Sequence, residues 1–281
     1  MSRKFAVLTT FNQQGLQLYG QRMINSFDDR MPKEIDLYIY AERCTPISRK
    51  TNRVIKVLDH EKTLHDMVEF KKRYIGDPRA NGKGPDGKRL DAKKAFKWDA
   101  IKFCNKVYAV CDAARRAKAD GIDVLIWMDA DSYIHSPMPM SFIENFVPNH
   151  VFTCFLGRGP KYTECGWYTL NLNHEHCDKF IDEFQRMYDD AENGIFKEKE
   201  WHDSYIYDVV RRWHETTYGV TNKDISSGIQ GEGHPLINSE LGAFFDHMKG
   251  ARKSEGQSKR KDLKIQRHED YWKSVRWSNL I

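Results

Sequence analysis

The chain has 281 residues, of which 40% are hydrophobic and 12% aromatic, with six cysteines and a net charge of +5. That length fits one large α/β domain or two small ones and is enough to bury a core, and the aromatic content excludes a disordered chain. No apolar run approaches membrane-spanning length. Cys44, Cys104, Cys111, Cys154, Cys165 and Cys177 show no CxxC spacing, so neither a zinc site nor a disulfide framework is expected but reduced core thiols in a cytoplasmic protein.

The opening, MSRKFAVLTTFNQQG, has an apolar stretch too short for a signal-peptide core and reads as a first strand over 5–12. Leu16, Tyr19, Met23 and Phe27 then recur at helical spacing. EIDLYIYAE (34–42) and RVIKVLD (53–59) predict a second and a third strand, so the chain opens with a βαβ unit. A helix is expected around 70–74. GDPRANGKGPDGKRL (76–90), with four glycines and two prolines, predicts a loop. Segment 91–121 reads as a long amphipathic helix or helix pair. Ala95, Trp98, Ile101 and Val107 form one face, Lys97, Lys102 and Lys106 another, and Gly121 ends it. A strand follows in DVLIWMDADSYIHSP (123–137) and another in HVFTCFLGR (150–158). TECGWYTLNLNH (163–174) predicts a turn leading into a strand. Helices are expected over 177–194 and 201–217, then a turn-rich loop, SSGIQGEGHP (226–235), and a basic tail. Early alternation of strands and helices predicts a doubly wound, mostly parallel sheet with ligand loops at the carboxyl ends of its strands.

Positive charge is concentrated in two segments. Residues 71–97 hold ten Lys/Arg against three acids, and 249–276 hold ten against four. Such a distribution suits a solvated surface or a face for a polyanion.

The apolar run of 124–128 ends in Asp129, Ala130 and Asp131. In an extended segment residues i and i+2 point to the same side, so both carboxylates could meet one hard cation, Mn²⁺ or Mg²⁺, that also bridges to phosphate. Without a cation two such carboxylates repel. Ala130 between them leaves room for a ligand.

An apolar strand ending in D-x-D resembles the GT-A glycosyltransferases. HMKGARK, with His247, Gly250 and Lys253 as H-x-x-G-x-x-K, resembles the C-terminal motif of the family-eight retaining enzymes. The resemblance covers the chain up to about Lys253. It departs from family eight after the lysine, where Ser254 and Glu255 stand in place of Pro-Trp. It implies an α/β GT-A fold in a single domain over 1–253, with a mixed, mostly parallel sheet flanked by helices. The nucleotide-sugar part would span about 1–135 and the acceptor part about 136–253, followed by a basic extension over 254–281. It also implies Mn²⁺ or Mg²⁺ held by Asp129, Asp131 and His247, and a UDP-sugar donor whose diphosphate meets Gly250 and Lys253.

By the same resemblance Thr9, Thr10, Phe11 and Asn12 cradle the nucleotide, and Asp59 is a weaker candidate for the base. Asp99, Lys102 and Lys106 approach the diphosphate and donor sugar, and Asp203 in WHDSY meets the reacting hydroxyl as a catalytic acid or base. At a helix start Asp203 is equally suited to capping. Glu164, Trp167 and His202 are candidates for the acceptor, because aromatic faces bind sugar rings and a carboxylate grips hydroxyls. The basic segments make DNA a candidate partner, with a hydroxylated base as acceptor, as in bacteriophage DNA-modifying glycosyltransferases. A lipopolysaccharide or other glycan is the alternative acceptor. Outside this class stand a nucleotidyltransferase, for which TTFNQQGLQLYG lacks a Gly-rich phosphate loop, and a non-catalytic nucleic-acid-binding module.

Overall fold

A computed structural model describes residues 2–48, 53–84, 86, 88, 92–226, 228 and 234–275. Seven strands form one sheet in the order β3-β2-β1-β4-β7-β6-β8. They are β1 (Phe5–Asn12), β2 (Asp36–Glu42), β3 (Ile55–Asp59), β4 (Val124–Met128), β6 (Cys154–Arg158), β7 (Lys161–Asn171) and β8 (Lys223–Asp224). The pairs β1–β2, β2–β3, β1–β4 and β6–β8 are parallel, and β4–β7 and β6–β7 are antiparallel. A separate two-stranded antiparallel ribbon joins β5 (Ser132–Ile134) to β9 (Phe245–His247).

The alternation of side chains builds two cores. Ala6, Leu8 and Trp127 face one side of the sheet, against helices α2 (His65–Tyr74), α3 (Ala100–Ala119), α4 (Cys177–Asp189) and α5 (Asp203–Tyr218). Phe5, Val7, Ile126 and Met128 face the other side, against α1 (Gln21–Arg30), the short helix Met140–Phe146 and the chain after residue 234. The fold is thus α/β, a mixed and mostly parallel sheet flanked by helices on both faces. Among the described residues no helix is long and apolar enough to cross a membrane. All six cysteines are free.

Several local expectations are corrected. The 91–121 segment breaks at Asp99, whose side chain caps α3 by accepting from the Lys102 N–H at 3.1 Å. The buried face of α3 therefore runs through Ala100, Cys104, Val107, Tyr108 and Cys111, while Trp98 and Ile101 are only half-buried. Glu164 to Tyr168 are not a turn; they lie within β7, which pairs with β4 from Val124↔Asn171 to Met128↔Trp167. The first helix is interrupted by a π-helical turn, Leu16–Gly20. Such turns are uncommon and frequent at functional sites. The loops 76–90 and 226–235 fall partly outside the described residues. Segment 254–275, anticipated as an extension, packs on the domain: Trp272 is fully buried and donates its indole N–H to the Gly242 carbonyl at 2.7 Å.

Two histidines outside the cleft make the fold acid-sensitive. His214 is fully buried with Nε2 2.9 Å from the His176 carbonyl, and His135 stacks on Tyr271 with ring centroids 4.2 Å apart. Burial pushes both from 6.5 down to about 4. A histidine held neutral in the folded state leaves the unfolded chain binding more protons between those values, so stability is complete above the unfolded pKa and is lost as pH falls toward the folded one. Thermal unfolding should show a Tm that declines from about pH 6.5 toward pH 4, and less so in a His135→Phe/His214→Phe variant. An identical decline in that variant would remove these two groups as the cause.

Candidate functional site

Chain order puts β2 and β3 on one side of β1 and β4 on the other, so the carboxyl ends of β1 and β4 flank a topological switch point, where open α/β sheets bind ligands. The D-x-D segment leaves β4 at this point. Its two carboxylates are brought together by a turn and not by an extended pleat: Ser132 N–H donates to the Asp129 carbonyl at 3.0 Å, and Asp129 N–H donates to the Gly166 carbonyl at 2.9 Å. The β5–β9 ribbon then places Ser132 opposite His247, and Met248 N–H donates to the Asp131 carbonyl at 2.9 Å. A residue more than a hundred positions away is thereby fixed beside the aspartates. His247 Nε2 lies 3.1 Å from Asp131 Oδ1 and 3.5 Å from Asp129 Oδ2.

Each member of this trio is held from behind. Lys106 on α3 reaches Asp129 at 3.0 Å, and the Trp127 indole N–H donates to the same oxygen at 2.8 Å. Lys253 reaches Asp131 at 2.8 Å. His247 Nδ1 is 2.9 Å from Glu164 Oε1, and Lys249 contacts that same oxygen. Burial alone would raise all three carboxyls. Instead the Lys106 ammonium and His247 hold Asp129 well below its usual range, His247 and Lys253 lower Asp131, and Lys249 with His234 and His247 lower Glu164. Burial would likewise lower His247, but Asp131, Asp129 and Glu164 raise it well above 6.5.

The ligand atoms of Asp129, Asp131 and His247 lie within 4.8 Å of one another. Two carboxylates and an imidazole are the donor set expected for Mn²⁺ or a similar divalent ion, and a carboxylate behind the imidazole is the usual support for a metal-bound histidine. The residues present fit the cation. Gly166 is part of this fit: a Cβ there would stand 2.4 Å from His247 Cε1 and 2.7 Å from its Nδ1. Only a residue without a side chain lets the imidazole lie against β7.

In front of the trio a cleft of about 580 Å³ is lined by Lys102, Lys106, Lys253, Arg158, Tyr162, His202 and Asp203. A smaller cavity of about 170 Å³ continues toward Thr10, Tyr19, Asn105 and Ala130. Asp203 is the first residue of α5 and does not cap it. Its carboxylate pairs with Lys106 at 2.7 Å, so one buried ammonium bridges Asp203 and Asp129. Burial would lower Lys106, but the two aspartates raise it above 10.5. His202 donates to or accepts from Glu200 at 3.0 Å and lies within ring contact of Phe96, Phe103 and Tyr162.

Of the residues anticipated for the site, Asp129, Asp131, His247, Ala130, Thr10, Lys102, Lys106, His202, Asp203, Gly250 and Lys253 line the cleft or its continuation. Gly250 sits at φ +58°, a left-handed turn that favours glycine. Glu164 also borders the cleft, but its buried carboxylate is turned onto His247 and Lys249 and is not presented to an acceptor. Trp167 is a core residue, edge-on to Phe146, because its position in β7 points it to the opposite core. Thr9 and Phe11 are buried, Asn12 caps the following turn by accepting from Gly15 N–H, and Asp99 and Asp59 are helix caps. Sequence reasoning did not single out Gly166, Lys249, Arg158, Tyr162 or His234. Tyr19 and Trp127 it had read only as core residues. Tyr19 lies under Lys253, 5.1 Å from the ring centroid, and the π-turn aims it there.

No protein-family model and no curated protein matches the sequence. Among solved structures the chain is similar to the apo form of WbbM, a bifunctional glycosyltransferase, with 12% identity and a TM-score of 0.47. That match covers 80% of this chain and 39% of WbbM, so the chain spans about two fifths of that protein. It is also similar to apo mouse xyloside xylosyltransferase 1, with 11% identity and a TM-score of 0.45, over 79% of this chain and 85% of the other.

Part of the charge of the two basic segments is paired, in the first segment mainly with carboxylates outside it and in the second mainly with its own acids. Lys71 pairs with Glu42, Arg79 with Asp77 and Glu192, and Lys97 with Glu200. In the second segment Arg252 pairs with Asp262, Lys259 with Glu255, Arg267 with Glu269 and Lys273 with Asp270.

Proposed function

We propose that the chain is a GT-A-type glycosyltransferase that moves a sugar from a nucleotide sugar, UDP-linked, to an acceptor hydroxyl. The observation that carries this reading is the convergence of Asp129, Asp131 and His247, flanked by Lys253 and Lys106, at the switch point of the sheet. A divalent cation bound by those three residues supplies Lewis-acid stabilisation to the departing diphosphate. Lys253 and Lys106 add positive charge where the leaving oxygen becomes anionic. Thr10 and Tyr19 line the recess that takes the nucleoside end. Asp203, tied to Lys106 at 2.7 Å, accepts a hydrogen bond from the reacting hydroxyl and takes its proton where the anomeric centre is inverted. The lysine tie orients that carboxylate toward the trio.

For the acceptor we propose a hydroxylated base in DNA. Supporting it, the cleft is lined by Phe96, Phe103 and Tyr162, aromatic rings against which a flipped base can pack, with Arg158 4.6 Å above Tyr162.

The test is incubation with a panel of nucleotide sugars and Mn²⁺, with mass spectrometry for hydrolysis and for transfer to hydroxymethylated DNA and to glycan acceptors. Donor turnover should be abolished by EDTA. Asp203→Asn should slow transfer by roughly 10²-fold or more, a larger change than in Mn²⁺–UDP affinity. Full turnover in EDTA would count against the metal, and transfer to glycans alone would replace the DNA acceptor.

A further inference from the structure

Beside the cleft, and sharing Arg158 and Lys249 with it, lies a second cavity of about 230 Å³. Arg158, Lys249, Arg252, Lys261 and Lys264 line it, with Asp262 as its carboxylate. Asp262 is already committed: it accepts from Arg252 Nε at 2.5 Å and from Lys259 N–H at 2.8 Å. Lys249 is held by Glu164. Arg158 donates its Nε to the Tyr162 carbonyl at 2.9 Å, and no carboxylate faces its guanidinium among the described residues. Nor does any described carboxylate pair with Lys261 or Lys264, whose side chains are exposed at the mouth.

The floor of the cavity supplies a second observation. His234 is only 6% exposed, and neither of its ring nitrogens has a hydrogen-bond partner among the described residues. Both nitrogens are closed to solvent, and Nδ1 faces Glu164 Oε1 at 3.8 Å. His234 with Glu164 and His247 could geometrically hold a cation of its own. Charge argues otherwise, because Lys249 already occupies the Glu164 oxygen that would be the ligand and four further cations stand around the same space. The unmet demand in this cavity is for an anion.

We infer that the cavity is a phosphate subsite that takes a phosphodiester of a nucleic-acid acceptor. Arg158, Lys261 and Lys264 neutralise the phosphate. Because Arg158 and Lys249 border both spaces, a polymer with its reacting base against Tyr162 has a neighbouring phosphate within this cavity. The acceptor role rests on the glycosyltransferase reading, whereas phosphate binding does not.

The experiment uses the full chain saturated with diamagnetic Mg²⁺ and UDP, so that the diphosphate position is filled, and titrates inorganic phosphate by ³¹P line broadening. Phosphate should still bind, and Lys261→Ala/Lys264→Ala should weaken it by about tenfold or more, as expected for loss of two charged hydrogen bonds. A single-stranded oligonucleotide should displace the phosphate, and the matching nucleosides should not. Absence of phosphate binding in the presence of UDP, or equal affinity in the variant, overturns the subsite. Phosphate that no oligonucleotide displaces overturns its assignment to the acceptor. Donor turnover measured on the same preparation without UDP separates the two readings: turnover without phosphate binding removes only the subsite, and phosphate binding without turnover removes only the transferase.

Discussion

Asp131→Ala is expected to remove Mn²⁺ binding and to cut sugar transfer by roughly three orders of magnitude, the value of several kcal/mol of leaving-group stabilisation. Asp131 is the more buried of the two aspartates. It is 6% exposed, faces His247 at 3.1 Å, and takes Lys253 on its other oxygen. Removing its carboxylate deletes one ligand and leaves Lys253 without the partner that positions it, so the cation is lost and the ammonium is no longer held in place. Asp131→Asn is the informative companion, since it keeps the shape and one acceptor oxygen while removing the charge. Manganese binding followed by electron paramagnetic resonance, with UDP-sugar hydrolysis in parallel, reads both. Unchanged manganese affinity in Asp131→Ala would sink the assignment of this carboxylate as a ligand.

Gly166→Ala should be almost as damaging without touching any ligand. The added methyl carbon would lie 2.4 Å from His247 Cε1 and 3.3 Å from Glu164 Oε1, closer than folded proteins tolerate. β7 cannot retreat, because it is paired on one side to β4 and on the other to β6. The imidazole must move, and its bond to Glu164 goes with it. Loss of such support behind a metal-bound histidine lowers metal affinity by roughly 10–100-fold. Since the ring is the part that yields, the variant should fold, and circular dichroism checks that directly. A folded Gly166→Ala protein with wild-type manganese affinity would show that His247 is not a ligand. Glu164→Gln, which keeps the methyl-free β7 surface, should weaken affinity through the histidine alone.

The pattern of elements was legible for a physical reason. Strands buried on both faces read as continuous apolar runs, as in FAVLTTFN, DLYIYAE and VLIWM, and the helices show their inner faces at i, i+3 and i+4. The D-x-D pair stood out because carboxylates abruptly end such a run. What misled was local chemistry with two uses. Asp99 and Asp59 are the residue type that a helix start and a ligand site both favour, and here capping takes them. TECGWY resembles a turn by composition, but pairing on both sides makes it strand, and the two-residue period then sends Trp167 to the core while Gly166 meets His247.

By itself the sequence determined the α/β class, the order of the elements and the chemical types present at the candidate site, because those depend on burial pattern and local spacing. Only the tertiary structure decided which of those groups meet. The β5–β9 ribbon brings His247 to Asp131, Lys106 is shared between Asp129 and Asp203, and Glu164 is turned from an acceptor contact into the support of an imidazole. In the second basic segment Lys261 and Lys264, which have no carboxylate partner among the described residues, line one cavity. Charge counted along a chain does not show which cations are paired with Glu42, Glu192 and Glu200, since these carboxylates come from elements distant in sequence, and Coulomb attraction acts over distance in space.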